Sequence, residues 1–188
     1  MTKLLSAAVS DQHVLIFQAW QCILGSDRHA IYVSGPITTG PRFIAMRERC
    51  GADDEKKQVL AANITDIVEA AARLRKETGC IVIEPGSLSV QTWSQDDYLE
   101  LWTNLIERHI AEVRFLDGWE ASIGCALEYE RARQHNVARS RLDGSSITDD
   151  EAISLLSSTA VKLSAHANER LALLGRRLSE VAGRLGSF

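Results

Sequence analysis

The 188-residue sequence has few features of secreted, membrane or nucleic-acid-binding proteins. Its four cysteines are far apart with no CxxC pair, which argues against a disulfide framework and a zinc site and predicts buried thiols in a reducing cytoplasm; they are Cys22, Cys50, Cys80 and Cys125. The apolar runs at 4–9 and 14–24 are too short for a secretory signal core and a membrane span, respectively. A net charge of -4 gives no reason to expect nucleic-acid binding. We expect a cytoplasmic protein without a metal, a cofactor, a membrane or a nucleic acid as partner.

The composition is ordinary for a soluble globular protein, with 45% hydrophobic and 24% charged residues. A chain of this length suits one domain with an appendage, or two small domains. An Asp-Gly-Ser-Ser stretch at 143–146 is the clearest linker. We therefore expect an N-terminal helical segment at 1–28, an α/β domain at 29–142 and a helical extension at 149–186.

Short apolar runs and helical spacing alternate along the central domain. The runs predict strands at 29–34, 80–84, 113–116 and, more weakly, 137–142. Apolar spacings of three and four predict helices at 54–76, from Ser94 to about His109, and from Glu120 onward, and another helix, capped by Asp11, before the domain at 13–24. Ser94 with Asp97 predicts a capping box, whereas 41–53 is predicted to be an irregular, charged connection. The alternation is typical of a parallel-sheet α/β domain.

The extension contains no proline between 149 and 185, and its apolar residues recur at steps of three and four. This pattern predicts either one long helix with a coiled-coil-like stripe or two helices separated at Gly175. A continuous helix would be roughly 50 Å long, too long to pack only on a small α/β domain. The stripe needs a partner, and we expect self-association into a dimer or a higher homo-oligomer.

The segment 113–130 concentrates polar side chains where a predicted strand turns into a helix. Such a junction, at the carboxyl end of a strand and the amino end of a helix, is where α/β proteins bind ligands. The candidate residues there are Asp117, Gly118, Trp119, Glu120 and Ser122. The alternative is structural: Asp117 and Glu120 cap the helix, and Trp119 fills the core.

A second candidate lies after the first predicted strand, where the chain reads Ser34, Gly35, Pro36, Ile37 and Thr38. Glycine lets a backbone approach a ligand closely, and hydroxyl and free N–H groups donate hydrogen bonds, so the loop suits a hydroxylated or phosphorylated ligand. The alternative is a simple Gly/Pro turn.

A set of motifs spans about 30–137: Tyr-Val-Ser-Gly-Pro-Ile at 32–37, Asn63 on a helix, Ile-Glu-Pro at 83–85, Trp93, Tyr98, and Leu-Asp-Gly-Trp-Glu-Ala-Ser-Ile-Gly at 116–124 followed by Glu128. Together they resemble the nucleoside 2-deoxyribosyltransferase-like superfamily, in particular a bacterial and phage branch with a GWE-x-S-x-GA-x-x-E run. The resemblance implies a flavodoxin-like or Rossmann-like sheet with helices on both faces, usually in a dimer. It also implies cleavage or transfer at the N-glycosidic bond of a (deoxy)nucleoside or nucleotide.

The resemblance further implies catalysis between two acids, one attacking the anomeric carbon and one handling the proton on the leaving base. The family's attacking glutamate lies two residues before the helix glycine, and that position is Ser122 here. The catalytic candidates are therefore Glu120, Glu128 and Ser122; if both glutamates are helical, their directions differ by about 80° and they can approach one pocket. The predicted substrate-binding residues are Ser34, Gly35, Pro36, Ile37, Thr38, Asp117, Gly118 and Trp119. Two alternatives remain: a non-catalytic nucleotide-binding or sensing module with a helical oligomerisation tail, and a purely structural oligomer.

Overall fold

The structure is a computed structural model that describes residues 2–25, 28–49 and 53–187. Its sheet has four parallel strands in the order β2-β1-β3-β4. The strands are β1 (Ala30–Ser34), β2 (Val82–Ile83), β3 (Ile110–Phe115) and β4 (Ala138–Arg141). The helices are α1 (Thr2–Leu24), α2 (Pro41–Glu48), α3 (Asp53–Thr78), α4 (Gln95–His109), α5 (Ile123–Gln134), α6 (Asp149–Ser164) and α7 (Glu169–Leu185). The predicted α/β parallel-sheet fold with C-terminal helices is confirmed.

Apolar side chains cover both faces of the sheet. All five residues of β1 are buried, as is typical of a central strand in a parallel sheet. On one face Ile31, Val33 and Val82 pack against α3. On the other face Tyr32 and Val113 belong to the larger core formed with α4, α5 and the C-terminal helices. This separation follows from the two-residue period of strands.

The strand order places a topological switch point between β1 and β3. From β1 the chain passes through α2 and α3 to β2 on one side, then returns through α4 to β3 on the other side. The connections leaving the carboxyl ends of two neighbouring strands then diverge and leave a crevice between them. This order positions the site described below.

Several predicted boundaries need correction. Helix α1 begins at Thr2, so the predicted helix start at Asp11 is wrong, because this residue lies well inside the helix; residues 26 and 27 lie outside the described residues. The supposedly irregular segment 41–53 begins with α2, which has Pro41 in its first turn, where a missing N–H costs nothing. The capping box of Ser94 and Asp97 at the start of α4 is confirmed.

The prediction of four buried thiols is also partly wrong. Cys125 is buried, but Cys22 and Cys80 are exposed, and Cys50 lies outside the described residues. No helix in the described ranges has both the length and the apolarity needed to cross a bilayer.

The C-terminal extension is a helical hairpin. Helices α6 and α7 are separated at 165–168, so the predicted break at Gly175 is wrong. Apolar residues of the stripe, including Leu156, Leu171 and Leu178, are fully buried in the main core. The stripe thus finds its partners within the chain, and homo-oligomerisation stays a prediction.

Candidate functional site

A cavity of about 440 Å³ lies at the carboxyl end of the sheet, within the size range of small-molecule sites. Its walls come from the loop after β1, the loop after β2, α3, α4, the amino end of α5 and α7. The lining residues are Gly35, Ile37, Thr38, Thr39, Leu60, Ile64, Pro85, Gly86, Leu88, Ser89, Gln95, Asp96, Tyr98, Leu99, Trp102, Ser122, Ile123, Gly124, Cys125, Leu127, Glu128 and Arg177. Both predicted ligand-binding segments therefore contribute to one cavity.

Glu128 is a buried carboxylate in the cavity wall, with 6% of its surface exposed. The Tyr32 hydroxyl donates to its Oε1 at 2.7 Å, and the Ser34 hydroxyl donates to its Oε2 at 2.6 Å. Tyr32 and Ser34 are two residues apart on β1, so their side chains project from the same face of the sheet. Sheet geometry and the first turns of α5 thus hold the carboxylate in a fixed orientation.

Burial controls the ionisation of this cluster. Loss of water raises the pKa of Glu128 from 4.5 to about 7, although the hydrogen bonds from Ser34 and Tyr32 partly oppose the rise. Burial, and then the nearby Glu128 carboxylate, raises the pKa of Tyr32 well above its usual value. Burial likewise raises the pKa of the Cys125 thiol to about 12, so at neutral pH this cavity-lining sulfur is not a thiolate nucleophile.

The raised pKa of Glu128 predicts a pH-dependent stability. Below pH 4.5 the carboxyl is protonated in both folded and unfolded chains, so its stabilisation is fully present. As the pH rises through about 7, the unfolded chain has already ionised and that stabilisation is lost. Relative to Glu128→Gln, the wild-type protein should lose on the order of 3 kcal/mol of unfolding free energy across this interval, from 1.36 kcal/mol per pKa unit. Urea denaturation of both proteins at several pH values measures the difference; parallel pH profiles would contradict the shift.

Ser122 has a structural role in this geometry. Its hydroxyl caps α5 by accepting a hydrogen bond from the Cys125 N–H at 3.5 Å. Trp119–Ala121 form a single 3-10 turn before the helix. The predicted helix start near Glu120, with Asp117 as its cap, is therefore wrong. Because Glu120 precedes the helix, the assumed 80° relation to Glu128 does not apply.

The cavity brings together only some of the predicted residues. Gly35, Ile37 and Thr38 line it together with Ser122 and Glu128. Ser34 lies beneath it, bonded to Glu128. Pro36 and Asp117 line a separate hollow of about 280 Å³ with Pro41, Arg42, Asn63, Asp66 and Leu116.

The remaining predicted residues lie outside the cavity lining. Trp119 is buried in the core and stacks on Tyr129 with ring centroids 5.1 Å apart, as its structural alternative predicted. Gly118 has a φ of 80° and packs so closely on Pro41 that a Cβ would lie 2.5 Å from its Cγ. Glu120 is half-buried and does not line the cavity.

Second-layer contacts fix the two loops on either side of the cavity. The Asn63 side chain donates to the Ile37 carbonyl at 2.9 Å and accepts from Arg42 at 3.0 Å. Buried Glu84 accepts from the Ser87 N–H at 3.1 Å and from the Ser87 hydroxyl. These side chains anchor loop backbone that lines the cavity.

Sequence reasoning did not assign roles to Tyr32, Asp96 or Arg177. Tyr32 had a usable signal, because a strand residue two positions before Ser34 shares its face. Asp96 lies in the first turn of α4 and is exposed at the cavity. Arg177 reaches the cavity only because the C-terminal hairpin folds back, which no local pattern indicates. No group of three or more metal-ligating side chains occurs among the residues that the structure describes.

The fold and the cavity define a parallel-sheet α/β protein with a small-molecule-sized site at the switch point of its sheet. Residues 51–138 match the family model described as domain of unknown function (DUF4406), a span of less than half of the chain. No curated protein and no solved structure matches the sequence.

Proposed function

We propose that the protein cleaves or transfers the N-glycosidic bond of a (deoxy)nucleoside or nucleotide, with Glu128 as the reacting carboxylate. The observation that supports this function most is the placement of Glu128 in a cavity wall, oriented by Tyr32 and Ser34. Among the described residues that line the cavity, Glu128 and Asp96 are the only acids. A glycosyl transition state resembling an oxocarbenium ion suits two carboxyl groups with different roles.

The proposed reaction has two steps. A Glu128 oxygen forms a bond to the anomeric carbon while the carbon–nitrogen bond breaks. The electron pair of the broken bond moves to the base, which takes a proton from Asp96 or from water. Water or a second base then attacks the anomeric carbon, and the carbon–oxygen bond to Glu128 breaks, with its electron pair returning to the carboxylate. The attacking group passes its proton to the group that protonated the leaving base, Asp96 or water. The leaving-base proton is thereby accounted for without a cofactor.

The second candidate is a module that binds a nucleotide without turnover. It is favoured by Ser122, which serves as a helix cap. In the nucleoside 2-deoxyribosyltransferase-like proteins that the sequence resembles, the attacking glutamate occupies this position. Serine is a poor nucleophile without an adjacent base. This candidate predicts ligand-induced stabilisation with no release of free base.

A substitution at Gly124 tests the cavity as the reaction site. A Cβ on Gly124 would meet only the Ser122 hydroxyl, at 3.9 Å, so a leucine there would project into the cavity. We expect Gly124→Leu to reduce base release by at least about tenfold, corresponding to roughly 1.4 kcal/mol of lost transition-state binding. Chromatography of reactions with a panel of nucleosides and deoxynucleoside monophosphates measures the free base.

Gly183→Leu is the matched control, because Gly183 is an exposed helical glycine and no atom in the described part of the chain lies within 4 Å of an added Cβ. It should retain wild-type base release. If wild type releases base and Gly124→Leu releases it at the same rate, the reaction does not take place in this cavity. If nucleotides stabilise the protein and no base is released, the binding module is the correct function and the enzyme is not.

A further inference from the structure

The C-terminal hairpin places a cation at the cavity. Arg177 lies on α7, between the buried Leu174 and Leu178, and is the sole cation among the described residues that line the cavity. It is exposed, and none of the described residues forms an ion pair or a hydrogen bond with it. The hairpin therefore supplies the cavity with a positive charge that no described carboxylate pairs with.

Two other arginines in this region have structural partners. Arg184 on the same helix forms two hydrogen bonds, at 2.6 and 2.8 Å, with Glu130. Arg133 pairs with Asp149 at 2.9 Å. Arg177 differs from these two because it lines a cavity and no carboxylate among the described residues pairs with it. Its available N–H groups suit the oxygens of an anionic ligand.

The cavity lining carries charges of both signs, and they bear on where an anionic group of the ligand can bind. Glu128 and Asp96 are acids, and they would repel a dianionic group placed beside them. Arg177 favours negative charge through its own positive charge. The amino end of α5 at Ile123 and Gly124 also favours it, because the first N–H groups of a helix have no intrahelical partners. The cavity lining thus contains both acids and groups that favour an anion.

We propose that Arg177 binds the phosphate of the ligand and makes the site specific for nucleoside monophosphates over nucleosides. This inference rests on the proposed function and assigns its substrate class. It makes the hairpin part of the site: α7 carries the specificity-determining residue, whereas the α/β domain carries the reacting carboxylate.

The test compares Arg177→Gln with Arg176→Gln. Arg176 is the neighbouring exposed arginine and does not line the cavity. We expect Arg177→Gln to raise the KM or Kd for deoxynucleoside monophosphates by roughly 10- to 100-fold, as expected for a lost hydrogen bond to a charged group. Values for nucleosides should change less than about twofold, and Arg176→Gln should resemble wild type. Isothermal titration calorimetry with both ligand classes and with ribose 5-phosphate, together with base-release kinetics, provides the readouts.

The outcomes separate this inference from the proposed function. Arg177→Gln could lower base release from nucleosides and from monophosphates equally, or leave both unchanged. Either result retains the proposed function and overturns the phosphate assignment. Arg177-dependent binding of ribose 5-phosphate or monophosphates without base release retains phosphate binding and overturns the reaction. Absence of binding and of base release for every ligand overturns both.

Discussion

Glu128→Gln should lower kcat/KM for base release by about 10²- to 10⁴-fold, the range lost with a positioned catalytic group. Glutamine preserves the size of the side chain, but it cannot act as a carboxylate nucleophile. Its carbonyl oxygen can accept from one of the two hydroxyls of Tyr32 and Ser34, whereas its NH2 group can only donate to the other. The loss should fall mainly on kcat, because the ligand contacts elsewhere in the cavity remain. Chromatographic base-release kinetics, with circular dichroism to establish folding, measure the effect.

Glu120→Gln is the discriminating control, since Glu120 precedes α5 and does not line the cavity. It should retain kcat within about twofold, consistent with the small effects of substitutions away from a site. The reverse result, with activity lost in Glu120→Gln and kept in Glu128→Gln, would contradict the assignment of Glu128. Equal losses in both folded variants would indicate that orientation of the turn limits the reaction.

The sequence grouped Ser34 with Glu128, and equally with Glu120, in one predicted site; in the structure Ser34 is hydrogen-bonded to Glu128, 94 residues away. The two residues come together because β1 and β3 are neighbouring parallel strands. The loop after β1 and the helix after β3 therefore leave the sheet at the same edge. Short apolar runs were sufficient to find those strands. The weakly apolar β4 was also found, and its pairing with β3 is parallel.

The sequence could not decide which residue caps α5. Asp117 and Ser122 are both good caps, and each was followed by helical spacing. Gly118 adopts a positive φ and is followed by a 3-10 turn, which delays the helix to Ile123. This delay separated Glu120 from Glu128, and it depends on backbone geometry that composition does not specify.

The hairpin was the larger omission, because an apolar stripe does not identify its partner. The same spacing buries equally well against a second copy or against the chain's own core. Gly175 was similarly ambiguous, since a glycine within a helix can mark a break or a close contact. Its role depends on α6, which crosses it.

Gly175→Ala should destabilise the protein by about 1–3 kcal/mol, the usual cost of adding a methyl group to a tightly packed contact. A Cβ on Gly175 would clash with the Ser164 backbone nitrogen and lie 2.8 Å from the Ala160 carbonyl oxygen. Relief requires α6 and α7 to move apart, which exposes apolar surface around Leu171 and Leu178. Equilibrium urea denaturation measures the loss.

Gly183→Ala provides the sign test on the same helix. Its added Cβ meets no atom of the described residues within 4 Å, so the substitution should stabilise by up to about 1 kcal/mol through helix propensity alone. Opposite signs would establish close packing at Gly175 as the cause, whereas equal stabilisation by both alanines would show that the hairpin is not packed as described.

Since α7 also carries Arg177, Gly175→Ala should weaken monophosphate binding more than nucleoside binding. A loss of stability without that change would separate hairpin packing from the phosphate contact.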